Sequence, residues 1–455
     1  MKKIACFLLV GQLLVSCAPS SDSNESAAFK GELVWSKTYG GTLDDKVSSA
    51  VATPDGGMLV LGYTDSNDGD ILKTHAMKDI WLSKMDANGN LMWSKTIGGS
   101  DDDFGTSIIA TADGHYVIAG YSGSNDGDVP DNLGMHDFYV SKIDGQGNSI
   151  WTKNYGFMSH DHAHKIIQTK DGGYFITGYA DYSGIDGSGG TGNNGEGHDM
   201  RGSAAAAGVL HGVGEFFGIK LTGTGEFSWY RYFGGTMNDR VNDVVEANDG
   251  GIVLLGYSES ADFDITNNKG SYDYWVVKLH QDGGLHWKEN YGGSGIDQAF
   301  GIAKSDNNSY VIVGRSNSMD GQVSRPLGNF DAWVIHINDH GELLWEKSFG
   351  GVEFDVASSI KKLKSGNFAV VGNTRSEIPG TTSKGANDYW VFEIDNYPNT
   401  ALHWQRTFGG SSLDLAVDCV QTDNNELVII GESQSGDHDV PSNKGSNDLW
   451  MVKLK

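Results

Sequence analysis

Short apolar runs alternate along the chain with clusters of glycine, aspartate and asparagine, and between residues 45 and 97 this alternation passes through four strand-length runs. The runs contain "VSSAVA", "MLVLGY", "DIWLSKM" and "LMWSKTI"; two of the three connections are the short turns "TPDGGM" and "DANGN". Runs of this length bounded by turn residues predict strands at about 47–53, 58–63, 79–86 and 91–97. Asn, Asp and Gly supply the positive φ angles that tight hairpin turns require. The second run is apolar on both faces, as in a strand sandwiched between neighbouring sheets. Its glycine, Gly62, predicts close approach by an adjacent sheet.

The same pattern recurs to the end of the chain. A Trp in the fourth run repeats at Trp35, Trp93, Trp151, Trp229, Trp287, Trp345 and Trp404, spaced by 58 residues, by 78 across the third unit and by 59 at the last step. Five residues after each Trp stands a glycine, and five further on an aspartate: Asp45, Asp103, Asp161, Asp239, Asp297, Asp355 and Asp414. Fixed self-similarity of this kind marks a repeat architecture. Four antiparallel strands repeated seven times describe an all-β, seven-bladed β-propeller. The last unit, ending in "SNDLWMVKLK", lacks its fourth strand, while an isolated copy, "GELVWSKTYGG", precedes the first unit. The N-terminal strand is therefore expected to complete the last blade, removing two open sheet edges.

Ahead of the repeats, "MKKIACFLLVGQLLVSC" joins Lys2 and Lys3 to an apolar stretch and a small residue before Cys17. This reads as an export signal over 1–16, too short to span a membrane as a mature helix. Residues 17–30 then form a cysteine and a polar tether, and 31–455 the propeller, with an insertion at about 181–215 in blade 3. Removal of the signal would leave Cys17 and Cys419, so no internal disulfide framework is expected. Cys419, among apolar strand residues, reads as a buried, inert thiol. With 59 acidic and 33 basic residues the chain carries −26, which argues against a nucleic-acid partner.

Two resemblances sharpen this picture. "LVSC" (Leu14 to Cys17) resembles the lipobox of bacterial lipoproteins, which implies acylation of Cys17 (palmitate among the acyl groups), and Ala18 in the next position implies the outer membrane. The motifs "WxKxYGG", "DGG" and "DxWxxK" over 31–455 resemble the repeats of exported, lipid-anchored β-propeller proteins of Bacteroidota. "MDANGNLMWSKTIGG" is also similar to the tryptophan-docking motif of quinoprotein propellers, in which an outer-strand Trp packs between blades near a glycine turn. These resemblances concern fold and address; function must come from the site.

The recurring aspartates suit a structural task, a short acceptor capping backbone N–H groups in the glycine-rich crossovers. A second recurring series, Asp79, Asp137, Asp273, Asp331, Asp388 and Asp448 with Glu215, precedes the third strands. Loops such as "TDSNDGDILK" carry oxygen ligands suited to calcium but lack the terminal acid of a calcium loop. The seven arginines occupy no repeated position, and adjacent cysteines of the quinoprotein dehydrogenase kind are absent.

Blade 3 breaks the repeat: "GFMSHDHAHK" replaces the usual crossover. Its His160, Asp161, His162 and His164, with His198, Asp199 and His211 of the insertion, form the candidate binding group. The three alternating histidines would share a face in an extended strand and could hold zinc. No cofactor is otherwise expected. The sequence reads as a non-enzymatic envelope lipoprotein whose loop face binds a protein or glycan. The alternative is a glycosidase-like enzyme acting on an extracellular polysaccharide, since a carboxylate pair at catalytic separation is invisible in sequence.

Overall fold

A computed structural model of the chain describes residues 29–72, 75, 77–130, 132, 134–156, 160–180, 215–396 and 401–455, and among these it contains strands and no helix. The strands form seven sheets of four, each antiparallel and paired in simple neighbour order. Blades 1 to 6 take residues 45–97, 103–155, 161–233, 239–291, 297–349 and 355–408. In blade 1 the strands are Asp45–Ala52, Met58–Thr64, Asp79–Met85 and Leu91–Ile97. The first begins two residues earlier than the apolar pattern indicates. The cause is a backbone bond: Asp45 N–H donates to the Asn447 carbonyl of the preceding blade at 2.8 Å. The same bond recurs at Asp103, Asp161, Asp297, Asp355 and Asp414.

Blade 7 joins the two ends of the chain. Leu33–Tyr39 pairs antiparallel with Asp448–Leu454, and the sheet continues through Leu427–Ser433 to Asp414–Gln421. Trp450 Nε1 donates to Ser36 Oγ at 2.8 Å, tying the borrowed strand to the last one by side chains as well. The first strands of successive blades pack against one another all the way round, so they line a central tunnel.

Seven apolar clusters hold the ring together, and each spans two neighbouring blades. Outer-strand tryptophans add a second interlock. Trp35 reaches the hairpin glycine of the next blade so closely that a Cβ on Gly89 would sit 2.6 Å from its ring, and Trp93 meets Gly147 in the same way. Gly31, just before the borrowed strand, packs against Trp404 of blade 6, which carries this interlock across the closure. The expectation for Gly62 is met only in part: a Cβ on Gly105 of the next blade would lie 2.8 Å from the Gly62 carbonyl, but the tighter constraint is internal. Its nearest neighbour is in its own blade, where a Cβ would lie 1.9 Å from the Lys46 carbonyl. A bulge between Val47 and Ser49 pushes that carbonyl toward the second strand.

The strand directions fix two unlike faces. First strands begin, second strands end and third strands begin at one face, where the crossovers and the second-to-third-strand loops also lie. Residues 29–32 and Lys455 meet at the opposite face: Glu32 N–H donates to the Lys455 carbonyl at 3.0 Å.

Candidate functional site

At each crossover the recurring first-strand carboxylate is buried, and at six of them one of its oxygens caps the crossover and a serine of the same blade. Asp297 Oδ2 accepts from Gly293 N–H at 2.8 Å and from Ser318 Oγ at 2.8 Å. Asp45, Asp103, Asp239, Asp355 and Asp414 accept the equivalent pair of bonds. The second acidic series faces the first across a glycine: a Cβ on Gly292 would lie 2.4 Å from Asp273 Oδ1 and 2.5 Å from Asp297 Oδ2. Burial first, and the facing carboxylate in addition, pushes Asp273, Asp388 and Asp448 up to about 6. The loop acids are also occupied. Asp68 accepts from Thr42 N–H and Oγ1, and Asp126, Asp262, Asp320 and Asp437 cap the matching crossover residues. Cys419 is buried, and burial pushes its thiol up to about 12, so it offers no nucleophile.

The blade 3 histidines separate. His160 and His162 point toward His136, which lies just ahead of the third strand of blade 2: His136 Nδ1 stands 3.0 Å from His162 Nε2 and 3.1 Å from His160 Nδ1. His164 leaves the group, donating from Nδ1 to the Val241 carbonyl of blade 4 at 2.7 Å. A bulge between Ala163 and Lys165 breaks the alternation on which a shared face depends. Asp161 does not join the imidazoles either; its backbone N–H donates to the His136 carbonyl at 2.7 Å, and its side chain lies beside Gly156 at the crossover. His198, Asp199 and His211 fall outside the described residues. Burial lowers His136 and His164 and takes His162 down to about 3, with the neighbouring histidines adding to the effect at His136 and His162.

Around the tunnel mouth these histidines belong to an arc of rings. Tyr63 meets Phe104 edge-on at 4.8 Å, Phe104 stacks on Tyr121 at 4.6 Å, and Tyr121 stacks on His162 at 3.8 Å with planes 3° apart. Tyr179 follows, 4.8 Å from His162, and carries the Arg240 guanidinium 4.3 Å above its ring. Further round, Arg315 sits 5.0 Å from the Phe330 ring and 5.4 Å from Phe354, while donating to Gln298 Oε1. Arg375 also approaches the Phe354 ring, at 5.8 Å. The sequence reading missed this arc although its markers were in hand. Much of the arc occupies the positions after the recurring first-strand Asp (Phe104, His162, Arg240) and after the recurring second-strand Gly (Tyr63, Tyr121, Tyr179, Tyr257, Arg315), while Phe330 and Phe354 stand just before the third-strand and first-strand Asp. Fixed residues mark the scaffold; variable positions beside them meet across the blade boundaries.

Comparisons with known proteins assign the chain to no family. No protein-family model matches the chain. The regulatory protein FlaEY of Caulobacter vibrioides is 25% identical over 434 residues, covering 86% of this chain and 43% of that protein, so the chain spans less than half the length of that relative. Among solved structures, Sqt1 from Chaetomium thermophilum superposes with a TM-score of 0.47 at 12% identity, over 94% of this chain and 100% of Sqt1. The Neurospora crassa Pan2 WD40 domain gives 0.46 at 9% identity, over 93% and 95%. At these values neither structure lends this chain a function.

Proposed function

We propose that this chain is an exported, lipid-anchored envelope protein that works as a binding module, taking an acidic glycan at the tunnel mouth. The carrying observation is the mouth itself. On a chain of net charge −26, Arg240, Arg315 and Arg375 gather beside an arc of half-buried aromatic rings. Flat apolar faces suit sugar rings, and guanidinium groups held on aromatic planes suit the carboxylate or sulfate of an acidic saccharide. The surrounding loops add exposed apolar side chains, including Leu72, Met135, Met319 and Val352. A protein partner seated on that rim is the other outcome to be distinguished.

An array of neutral and acidic glycans probed with wild type and Arg315→Ala tests the reading. Selective retention of acidic glycans by wild type, lost in the variant, supports it; equal signals on neutral glycans, or none on any, overturn it. One observation keeps an enzymatic reading in view. Glu432 at the mouth is raised by burial and by the charge of Asp44, the behaviour of a general acid beside a second carboxylate. Hydrolysis of an array hit that stops in Glu432→Gln would favour it. The anchor is tested separately: labelled palmitate should enter wild type and not Cys17→Ala.

A further inference from the structure

We propose that His136, His160 and His162 form a binding site for a divalent transition metal of the zinc class, at the boundary of blades 2 and 3 beside the tunnel mouth. The proposal does not rest on the glycan or anchor readings, and its failure leaves both standing.

The scaffold brings these residues together. At the six boundaries where both residues are described, the backbone bond from the first-strand aspartate pins the residue before a third strand next to the residue before the following first strand. Elsewhere the adjoining pairs are Tyr272 with Ile296, Phe330 with Phe354, Asn387 with Leu413 and Asp44 with Asn447. Here both positions are histidine, and the strand position two residues further on is histidine again. One ligand nitrogen from each of the three lies within 4.8 Å of the others. Three nitrogens about 2.0–2.1 Å from one tetrahedral ion would stand about 3.4 Å apart. The 3.0 and 3.1 Å spacings need only a small opening and the third a modest closing.

Proton counting favours an ion over hydrogen bonds. His136 Nδ1 has one in-plane position, which holds either a proton or a lone pair. Two other nitrogens face it, so one proton cannot satisfy both approaches. A single cation satisfies all three lone pairs. The surroundings match what metal-bound imidazoles require. Tyr179 Oη lies 2.7 Å from His162 Nδ1, a partner that orients the ring with Nε2 toward His136, and Tyr121 holds the ring plane from one side. The Asp101 carboxyl lies close by: a side chain at Gly123 would meet both it and the His136 ring. Among the described residues no further His, Cys, Asp or Glu joins the group. Three imidazoles therefore leave a position for water or for an anionic group of the ligand, the pattern of open rather than closed zinc sites.

Titration of the metal-free full-length chain with Co2+, read by its visible d–d absorption, tests the site without reference to activity. One equivalent should give an intense tetrahedral spectrum that Zn2+ abolishes, and Zn2+ should raise the melting temperature. His136→Ala and His162→Ala should weaken binding by ~10-fold or more, Tyr179→Phe by about 10-fold, and His164→Ala not at all. Circular dichroism melts would establish that each variant folds, and if the alanine variants do not, the wild-type spectrum and Tyr179→Phe still decide. No tetrahedral spectrum at one equivalent overturns the proposal. So does wild-type affinity in a folded His136→Ala, or in Tyr179→Phe where the alanine variants do not fold, or an equal loss in His164→Ala.

Discussion

Residue by residue, the acids of this propeller do two jobs that sequence shows as one. Both recurring series look like repeated caps, yet only the structure shows that they meet in pairs across a glycine, because the partners lie in different blades. That meeting has a pH signature. Asp273, Asp388 and Asp448 sit at about 6 in the folded state against an ordinary value near 3.8. A raised carboxyl binds more protons folded than unfolded, so its contribution is present at low pH and is lost as pH rises through about 6. Asp55 and Asp171, held down to about 2 with Lys84 and Lys220 as partners, act in the opposite direction and lose their contribution below pH 4. Thermal stability should therefore peak near pH 4 and fall until about pH 7, by about 1–3 kcal/mol for each of the three raised carboxyls that ionises. Asp273→Asn should make that slope shallower in melts across the range, and an unchanged slope would mean that the pair is not protonated. Glycine was easier to place than to explain. Gly372, one of the seven second-strand glycines, would put a Cβ 1.9 Å from the Val356 carbonyl, so Gly372→Ala should cost ~2–4 kcal/mol by chemical denaturation.

At the scale of strands, turn chemistry and apolar runs made nearly all of the fold legible, and the complementary truncation of first and last units made the closure legible too. What sequence hid was the bulge. One extra residue in each first strand shifts every later side chain, and it alone sends His164 to blade 4 while His162 turns to blade 2. Nothing in "HDHAHK" announces it, because a bulge is set by the register of the partner strand. His136 was hidden for a related reason: it lies 24 residues from His160 and becomes its neighbour only through the crossover bond. The borrowed strand carries a prediction of its own. Deleting 31–41 removes the pairing along Asp448–Leu454, the Ser36 bond to Trp450 and the glycine that seats Trp404. Stability should fall by well over the ~1 kcal/mol of a typical point substitution, and the bared edge should recruit a second copy. A truncated chain that melts like wild type and sediments as a monomer would contradict this.

For the molecule as a whole, the two ends of the tunnel differ in a way that relates the proposed anchor to the proposed site. The chain enters the ring at residues 29–32, beside Lys455 and on the face opposite the mouth. Cys17 precedes Gly31 by a stretch that, fully extended, spans at most about 45–50 Å. An acyl group on Cys17 would attach through the chain-end face, which leaves the aromatic and arginine arc at the opposite face free to turn away from a membrane. The charge distribution works in the same sense. A net charge of −26 is repelled by an anionic lipid surface, while the mouth concentrates guanidinium groups where an acidic ligand can reach them from solution. Two measurements follow. Binding of an acidic glycan should weaken as salt is raised, because the contacts at Arg240, Arg315 and Arg375 are screened. Affinity should also be the same within about twofold for the lipidated protein on vesicles and for a chain beginning at residue 29, since an outward mouth loses no access on anchoring. If vesicle attachment abolished glycan binding while the free chain retained it, the mouth would face the membrane, and the ligand would have to be sought among components of the membrane surface itself.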